Sequence, residues 1–468
     1  MPEKKYDVAV LGAGPGGYPA AIKLAQKGKK VALIEAQAVG GTCLNRGCIP
    51  TKTLIANAEV LHNIKHASSY GIETAEVKID YSKMAEQKDT VVSKLKNSLE
   101  RLIQANQIDI IPGFGKFTAP HRIQVTTGQD TLDIVAEYSI IATGTEPKEI
   151  PAFPFDSRLI HSSTTILQQK TLPNSLVIIG AGVIGCEFAS LYSELGVKVT
   201  IIEALPRILP LECETISAFL LKSFKHRGIN VITGAMVGEI RKNDTTITVL
   251  LKDGQTLSAD MALVAVGRSL NTANIGLDRI GVTTDKNGFI VIDDQMKTTI
   301  AKIYAIGDIT GKAMYAHVAT HQGFVAAGDI LGEHLHMNYD AVPGVIFTHP
   351  EIGSCGMSLE AALKRGYHAK RTTYPFQALG KAQAAQQTEG FAQIVVDEST
   401  GQILGAQVAG HEASNLIAPM TLAIAQELTV EAIVETIHAH PTLQEAWMES
   451  ALISLGTPLH FPPLSRKV

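Results

Sequence analysis

No run of about 18 consecutive apolar residues occurs in this 468-residue chain, so nothing in it reads as a hydrophobic membrane span. An excess of one charge sign is lacking too. Forty-one Lys and Arg face 45 Asp and Glu, a formal net charge of −4, which gives no electrostatic case for nucleic acid or an anionic membrane as partner. Cysteine is scarce: five residues do not make a secreted disulfide scaffold, and a reducing compartment is expected. Met1-Pro2-Glu3-Lys4-Lys5 leads straight into the apolar run Tyr6 to Leu11, leaving no room for a signal peptide core and cleavage site. The expectation is a cytoplasmic protein, or one of the mitochondrial matrix if a presequence has been removed. What remains, 45% hydrophobic and 18% charged residues, is an ordinary globular composition at a length that calls for about three domains.

Glycine is plentiful, and its placement is informative. Tyr6 to Leu11 reads as a buried strand, Gly12-Ala13-Gly14-Pro15-Gly16-Gly17 as a tight loop, Tyr18 to Lys27 as a helix and Val31 to Glu35 as a second strand. In such a unit the first glycine (Gly12) permits the turn and the second (Gly14) lets a pyrophosphate approach. The last (Gly17) lets helix pack on strand, and the helix N-terminus faces the phosphates. Glu35, 23 positions after Gly12, stands where an acid accepts hydrogen bonds from an adenosine ribose. Pro19 falls in the first helical turn, where its missing N–H costs little.

The pattern recurs with Ser175 to Ile179, the loop Gly180-Ala181-Gly182-Val183-Ile184-Gly185, and Val197 to Glu203. Two fingerprints imply two dinucleotides. Glu203, again 23 positions past its first glycine, would repel a 2′-phosphate, so NAD is expected in preference to NADP, a preference that nearby Arg207 softens. Each unit ends in a strand with a glycine, Ile140 to Gly144 and Leu263 to Gly267. A further turn, Tyr304 to Asp308, leaves Asp308 equally suited to cap a helix or to bind a flavin polyol.

Two of the five cysteines, Cys43 and Cys48, lie in Gly40-Gly41-Thr42-Cys43-Leu44-Asn45-Arg46-Gly47-Cys48-Ile49-Pro50-Thr51-Lys52. In an ideal helix residues five apart lie beyond the roughly 7 Å that a disulfide spans, and Gly47 and Pro50 supply the distortion a redox pair needs. Inert thiols or half of a zinc site are the alternatives, but zinc wants a second short-spaced pair and none exists, so no metal is expected. Cys186, Cys213 and Cys355 read as packing residues. A thiol reaction needs a base. His440, in Ile437-His438-Ala439-His440-Pro441-Thr442-Leu443-Gln444-Glu445, offers one, with Glu445 to orient it. Thr442 and Glu445 equally fit a helix capping box. His317 and His321 lack the rest of a metal motif and read as surface or packing residues.

Together these segments resemble the flavin-dependent pyridine nucleotide-disulfide oxidoreductases, most closely the branch that oxidises dihydrolipoyl groups. The likeness runs from Gly12 to the Pro462-Pro463 tail and is most specific at residues 40–52 and 438–443. It implies an α/β fold with two Rossmann-like dinucleotide-binding domains, residues 1–144 for FAD and 145–268 for NAD. A central domain (269–339) would complete the FAD site, and a C-terminal α+β dimerisation domain (340–468) would pair two subunits. The FAD site would include Gly12, Gly14, Gly17, Glu35, Thr42, Lys52, Gly115, Thr143, Gly144, Asp308 and Ala316; the NAD site would include Gly180, Gly182, Gly185, Glu203, Val237 and Gly267.

By the same resemblance Cys43 exchanges with a dihydrolipoyl dithiol, Cys48 sits against the flavin, and Lys52, paired with Glu187, stabilises charge on the reduced ring. His440, with Glu445, reaches the disulfide of the other subunit of a homodimer. The implied reaction is oxidation of dihydrolipoyl groups with reduction of NAD. The alternative is NAD(P)H-dependent reduction of another small disulfide. A flavoprotein kept only as a structural subunit would be expected to have lost His440 or a cysteine. Partners would be lipoyl domains of 2-oxo acid dehydrogenase complexes or the glycine cleavage H protein, because a chain that begins at the FAD strand carries no lipoyl domain of its own. Thr51, Gln444 and Pro19 depart from the usual serine, serine and valine without removing a reacting group.

Overall fold

The computed structural model describes residues 2–462; Pro463, at the end of the resemblance, and the rest of the proposed 340–468 domain beyond it lie outside the described residues. The chain divides into two compact units, residues 1–172 with 263–337, and 173–262 with 338–468. The stretch 145–172 and residues 263–337 therefore belong with the first glycine loop.

The first unit is built on β1 (Glu3–Leu11), α1 (Gly17–Gln26), β2 (Val31–Glu35), α2 (Gly41–Arg46), α3 (Cys48–Lys65), α4 (Tyr81–Ala105), β3 (Asp109–Pro112), β4 (Phe114–Ala119), β5 (Arg122–Thr127) and β6 (Asp130–Ile141). The sheet order is β3-β2-β1-β6-β5-β4, with the strand Ile303–Ala305 added alongside β6. β3, β2, β1, β6 and Ile303–Ala305 are mutually parallel, and β4–β5–β6 run antiparallel. Because side chains alternate along a strand, a doubly covered sheet must be apolar at every position. Val8 and Val10 of β1 and Val31 and Leu33 of β2 pack with Ala20, Leu24, Leu99, Ile103 and Val325 of the helices on one face. Ala9, Leu11, Ala32 and Ile34 face the opposite way, against Phe117, Ile123, Ile290 and Ile303. That is why Tyr6 to Leu11 reads as a continuous run rather than an alternating one.

In the second unit the strands Ser175–Ile179, Lys198–Glu203 and Asn230–Thr233 are parallel neighbours. Helices Val183–Glu194 and Glu214–His226 connect them. A three-stranded antiparallel sheet (237–242, 247–251, 256–259) follows. The rest is a five-stranded antiparallel sheet in the order Gly344–Ile346, Glu351–Gly356, Ile403–Gly410, Gly390–Asp397, Ala369–Pro375. Helices Ala413–Ala425 and Glu445–Ser454 lie against it around Trp447, Tyr374, Phe376 and Met420. Trp447, the chain's one tryptophan, is buried and donates from its indole N–H to the Leu416 carbonyl at 3.0 Å, so the helix beginning at Glu445 is fixed by both apolar burial and a satisfied polar tip. Among the described residues no helix is long and apolar enough to cross a membrane, and no cluster of three or more His, Cys, Asp or Glu could hold a metal ion.

Candidate active site

Both glycine loops are made in the same way. Gly12 and Gly180 have φ of +100° and +99°, open to glycine but strained for any other residue. Their N–H groups donate to Ile34 and Ile202, each at 2.8 Å. A Cβ on Gly17 would lie 1.9 Å from the Gly12 carbonyl oxygen, and one on Gly185 would lie 2.0 Å from that of Gly180. The last glycines are therefore bare for packing. The middle ones differ: a Cβ on Gly14 would meet nothing nearer than Gly41 Cα at 3.9 Å, and one on Gly182 nothing within 4 Å. Protein packing does not require glycine there. The space it leaves, in front of the N-termini of α1 and of helix Val183–Glu194, is what a pyrophosphate requires. Glu35 accepts from Ala13 N–H and Gln37 N–H, both at 2.8 Å, one on each carboxylate oxygen. Glu203 does the same with Ala181 N–H at 2.7 Å and Leu205 N–H at 2.8 Å.

The cysteine segment docks on the first loop. Gly41, at φ +58°, approaches so closely that a Cβ would stand 2.7 Å from Gly14 Cα, and Gly40 N–H donates to the Ala13 carbonyl at 2.8 Å. The chain is not one helix from 41 to 65. It breaks at Gly47 (φ −140°, ψ −105°), so Cys43 lies in α2 and Cys48 opens α3. The break is held by Thr51, whose N–H and hydroxyl both donate to the Gly47 carbonyl, at 3.1 and 2.6 Å. Thr51 is buried, so the extra methyl relative to serine is packed. The break brings Cys43 and Cys48 into hydrogen-bonding contact as thiols. That contact, then burial and the charge of Cys48, push the Cys43 thiol up, against the positive charge of Lys52 and an N–H from Cys48. Cys48, at the N-terminus of an 18-residue helix, is the sulfur where the helix favours negative charge. Lys52 follows it by one turn.

The remaining FAD-site candidates of this unit are placed as follows. Thr42 lies in α2. Thr143 and Gly144 (φ +65°) follow β6, and Thr143 Oγ1 is buried with no hydrogen-bond partner among the described residues. Gly115 is in β4, where a Cβ would crowd Ile34 and Ile123, so core packing already accounts for it. Asp308 caps no helix; it is the second residue of the short helical turn Gly307–Thr310, accepts from the Thr145 hydroxyl and stands 3.7 Å from Arg268 Nε. Ala316 is the first residue of helix Ala316–Ile330, and Thr320 ties that helix to the Pro15 carbonyl at 2.7 Å. An open cradle over Gly14, an orphaned buried hydroxyl at Thr143 and a carboxylate at Asp308 together fit a flavin dinucleotide.

In the second unit Glu187 is buried and accepts from Phe347 N–H at 3.0 Å. Val237 begins a strand of the three-stranded sheet. Gly267, which the resemblance puts in the NAD site, belongs to the first unit, with φ +121°. His440 Nδ1 is 2.8 Å from Glu445 Oε1, and Glu445 Oε2 accepts from Thr442 N–H at 2.8 Å. The Thr442 hydroxyl turns back to the Ala439 carbonyl instead of to the helix, and Gln444 is the N-cap, so the capping box is only half made. One carboxylate thus orients the imidazole and anchors the turn at once. His440 itself is exposed, with 76% of its side chain accessible.

Several neighbours carry no sequence signal. Arg268 donates to both the hydroxyl and the carbonyl of Thr145 beside Asp308, and Arg46, between the cysteines, is ion-paired with Glu146 at 2.7 Å. Tyr18 is half-buried; burial and the charge of Cys43 push its hydroxyl up.

Residues 6–323 match the family described as pyridine nucleotide-disulphide oxidoreductase, and residues 342–451 match the dimerisation domain of that family. The chain belongs to the pyridine nucleotide-disulphide oxidoreductases. It is 50% identical to a dihydrolipoyl dehydrogenase of Chlamydia pneumoniae over 99% of this chain and 100% of that one. It is 40% identical to a dihydrolipoyl dehydrogenase of Geobacillus stearothermophilus over 97% of each. Among solved structures it resembles LpdA of Mycobacterium tuberculosis (28% identity, TM-score 0.91, 96% of this chain and 99% of that one). It also resembles the flavoprotein disulfide reductase RclA of Escherichia coli (29% identity, TM-score 0.87, 96% and 99%).

Proposed function

We propose that this member of the family is a dihydrolipoyl dehydrogenase: it oxidises a protein-bound dihydrolipoyl dithiol to the lipoyl disulfide and reduces NAD. The observation that carries this is the pair Cys43 and Cys48, brought into contact by the break at Gly47 and docked on the first glycine loop. Full-length relatives bearing that name support it. Reduction of another small disulfide with NADPH is disfavoured by Glu203, whose charge opposes a 2′-phosphate.

The working enzyme starts with Cys43 and Cys48 as a disulfide. A substrate thiol gives its proton to His440 at Nε2, because Nδ1 is committed to Glu445. The thiolate attacks Cys43, forming a mixed disulfide and releasing Cys48 as a thiolate at the start of α3, where the helix terminus and Lys52 favour its charge. The second substrate thiol, deprotonated in turn, attacks its partner sulfur. The lipoyl disulfide forms and Cys43 is freed. Two electrons have entered the pair and two protons have left the substrate. FAD, held by the Gly12–Gly17 loop, Glu35, Thr143 and Asp308, supplies the electron relay from this pair to NAD that no side chain can offer. NAD is held by the Gly180–Gly185 loop and Glu203. The protein acts as a homodimer in which the partner subunit's His440 serves this site. It works in the cytoplasm, on lipoyl domains of 2-oxo acid dehydrogenase complexes or on the glycine cleavage H protein.

The test is anaerobic mixing of the purified yellow protein with dihydrolipoamide and NAD. NADH formation is expected. Reduction by glutathione or NADPH, with dihydrolipoamide inert, would overturn the substrate assignment.

A further inference from the structure

Glu445 is not the only carboxylate on its helix. Glu449 is four residues on, one turn along the same face. Its side chain is only 2% exposed, and it accepts from His460 twice: Nδ1–H to Oε1 at 2.7 Å and backbone N–H to Oε2 at 3.3 Å. His460 is held in place by its own carbonyl, 3.5 Å from the Tyr374 hydroxyl, and by Phe461, whose ring lies 6.2 Å from that of Tyr374. Two carboxylate–imidazole pairs, His440 with Glu445 and His460 with Glu449, are thus stacked one turn apart.

The elements packed against this helix bring few other charges near it. Strand Ala369–Pro375 contributes Tyr374, whose hydroxyl is pushed up to about 12 by burial and by the charges of Glu449 and Glu445. It also contributes Lys370, whose Nζ sits on the Ser454 carbonyl at 2.9 Å and near Glu398, and Arg371, bonded to Thr215. Strand Gly390–Asp397 contributes Asp397, bonded to Thr400, and helix Val430–Glu435 contributes Glu431 and Glu435. Of these groups, with His460, only His460 both touches Glu449 and can carry positive charge to it. A buried carboxylate one turn from another destabilises its charge unless a cation offsets it. The positive field of His460 is also felt at Glu445.

We propose that Glu449 and His460 are positioning residues for proton transfer at His440: His460 offsets the buried charge of Glu449, so that Glu445 stays ionised and holds the imidazole by Nδ1. The inference rests on the dithiol oxidation proposed above. The experiment compares the pH profile of kcat/KM for dihydrolipoamide in the holoenzyme dimer with those of His460→Asn, Glu449→Gln, the double variant and His460→Lys. NADH oxidation by an artificial acceptor is measured in parallel.

His460→Asn leaves the Glu449 charge unopposed, so a proton is held more tightly at the His440–Glu445 pair and the acid limb moves up by roughly half a pH unit. Glu449→Gln leaves the positive charge unopposed and moves it down. The double variant and His460→Lys return it towards wild type, and acceptor activity is unchanged throughout. Should Glu449→Gln fail to fold, the contrast between His460→Asn and His460→Lys still decides. Superimposable profiles with an active wild type, or equal loss of both activities in His460→Asn and His460→Lys, overturn this inference alone. A wild type inert towards dihydrolipoamide overturns it together with the proposed function.

Discussion

Glu35 and Glu203 close their loops with the same two hydrogen bonds: each carboxylate takes the N–H of the alanine after the first glycine and the N–H two residues beyond itself. The acid proposed to recognise a ribose is therefore also a brace for the loop proposed to hold the phosphates. Glu203→Ala should accordingly do two things. It removes two charge-assisted hydrogen bonds, each worth about 1.5–3 kcal/mol, and it removes the repulsion of a 2′-phosphate. NADH should lose kcat/KM by at least ~10-fold, while NADPH loses less. Adding Leu205→Arg should turn the preference to NADPH. Steady-state kinetics with both nucleotides measures it, and an unchanged ratio would show that Glu203 does not read the ribose.

The glycines of one loop should separate into two classes. Gly17→Ala forces a Cβ to 1.9 Å from a backbone oxygen, so helix and strand must part, and the apoprotein itself should melt early. Gly14→Ala meets nothing nearer than 3.9 Å and should leave the apoprotein melting unchanged while weakening flavin retention. Thermal unfolding of flavin-stripped protein, together with FAD titration, distinguishes the two. Equal destabilisation by both substitutions would mean that the Gly14 gap serves packing after all.

Much of this was legible in the chain because chemistry and geometry coincide in short segments. Both glycine loops, both acids and the strands Val31–Glu35 and Ser175–Ile179 lie where the spacing puts them, since a buried parallel strand followed by a glycine turn has few alternatives. Gly267 clusters with the first unit although the 145–268 boundary groups it with the second glycine loop, because a glycine after a strand is the same signal in either unit. Arg268, Glu146 and Glu449 were invisible because their partners are 123, 100 and 11 residues away and no local period connects them. Glu445 was ambiguous because its two oxygens do both of the jobs between which spacing had to choose.

Replacing either cysteine separates the two halves of the reaction. In the proposed reaction Cys43→Ser removes the sulfur that the substrate attacks, and Cys48→Ser the one that leaves, so each should abolish dithiol oxidation. The nucleotide loops are untouched, and NADH oxidation by an artificial acceptor should persist in both. Parallel assays of the purified variants decide: retained dithiol oxidation in either would show that the pair is not the electron entry point.

The His440–Glu445 contact sets an expectation for pH. Burial raises the Glu445 carboxyl, but the hydrogen bond from His440, the N–H of Thr442 and the nearby charges of His440 and His460 outweigh it and hold the group below its ordinary value. A folded value below the unfolded one means that the stabilisation from this contact is complete above the ordinary carboxylate value near ~4.3 and is lost as pH falls through the lower folded value. Glu445 is thus ionised throughout the neutral range, so an acid limb of dithiol oxidation on the near side of neutrality is not the protonation of this carboxylate. His440→Ala should cut dithiol oxidation by ~10²–10⁴ and erase that limb, with acceptor activity retained. Glu445→Gln should cut it less, since a neutral amide can still accept from Nδ1–H, and should move the limb to lower pH because the imidazolium loses its counter-charge. A Glu445→Gln limb that stays in place while activity falls would leave Glu445 as an anchor for the Thr442 turn and nothing more.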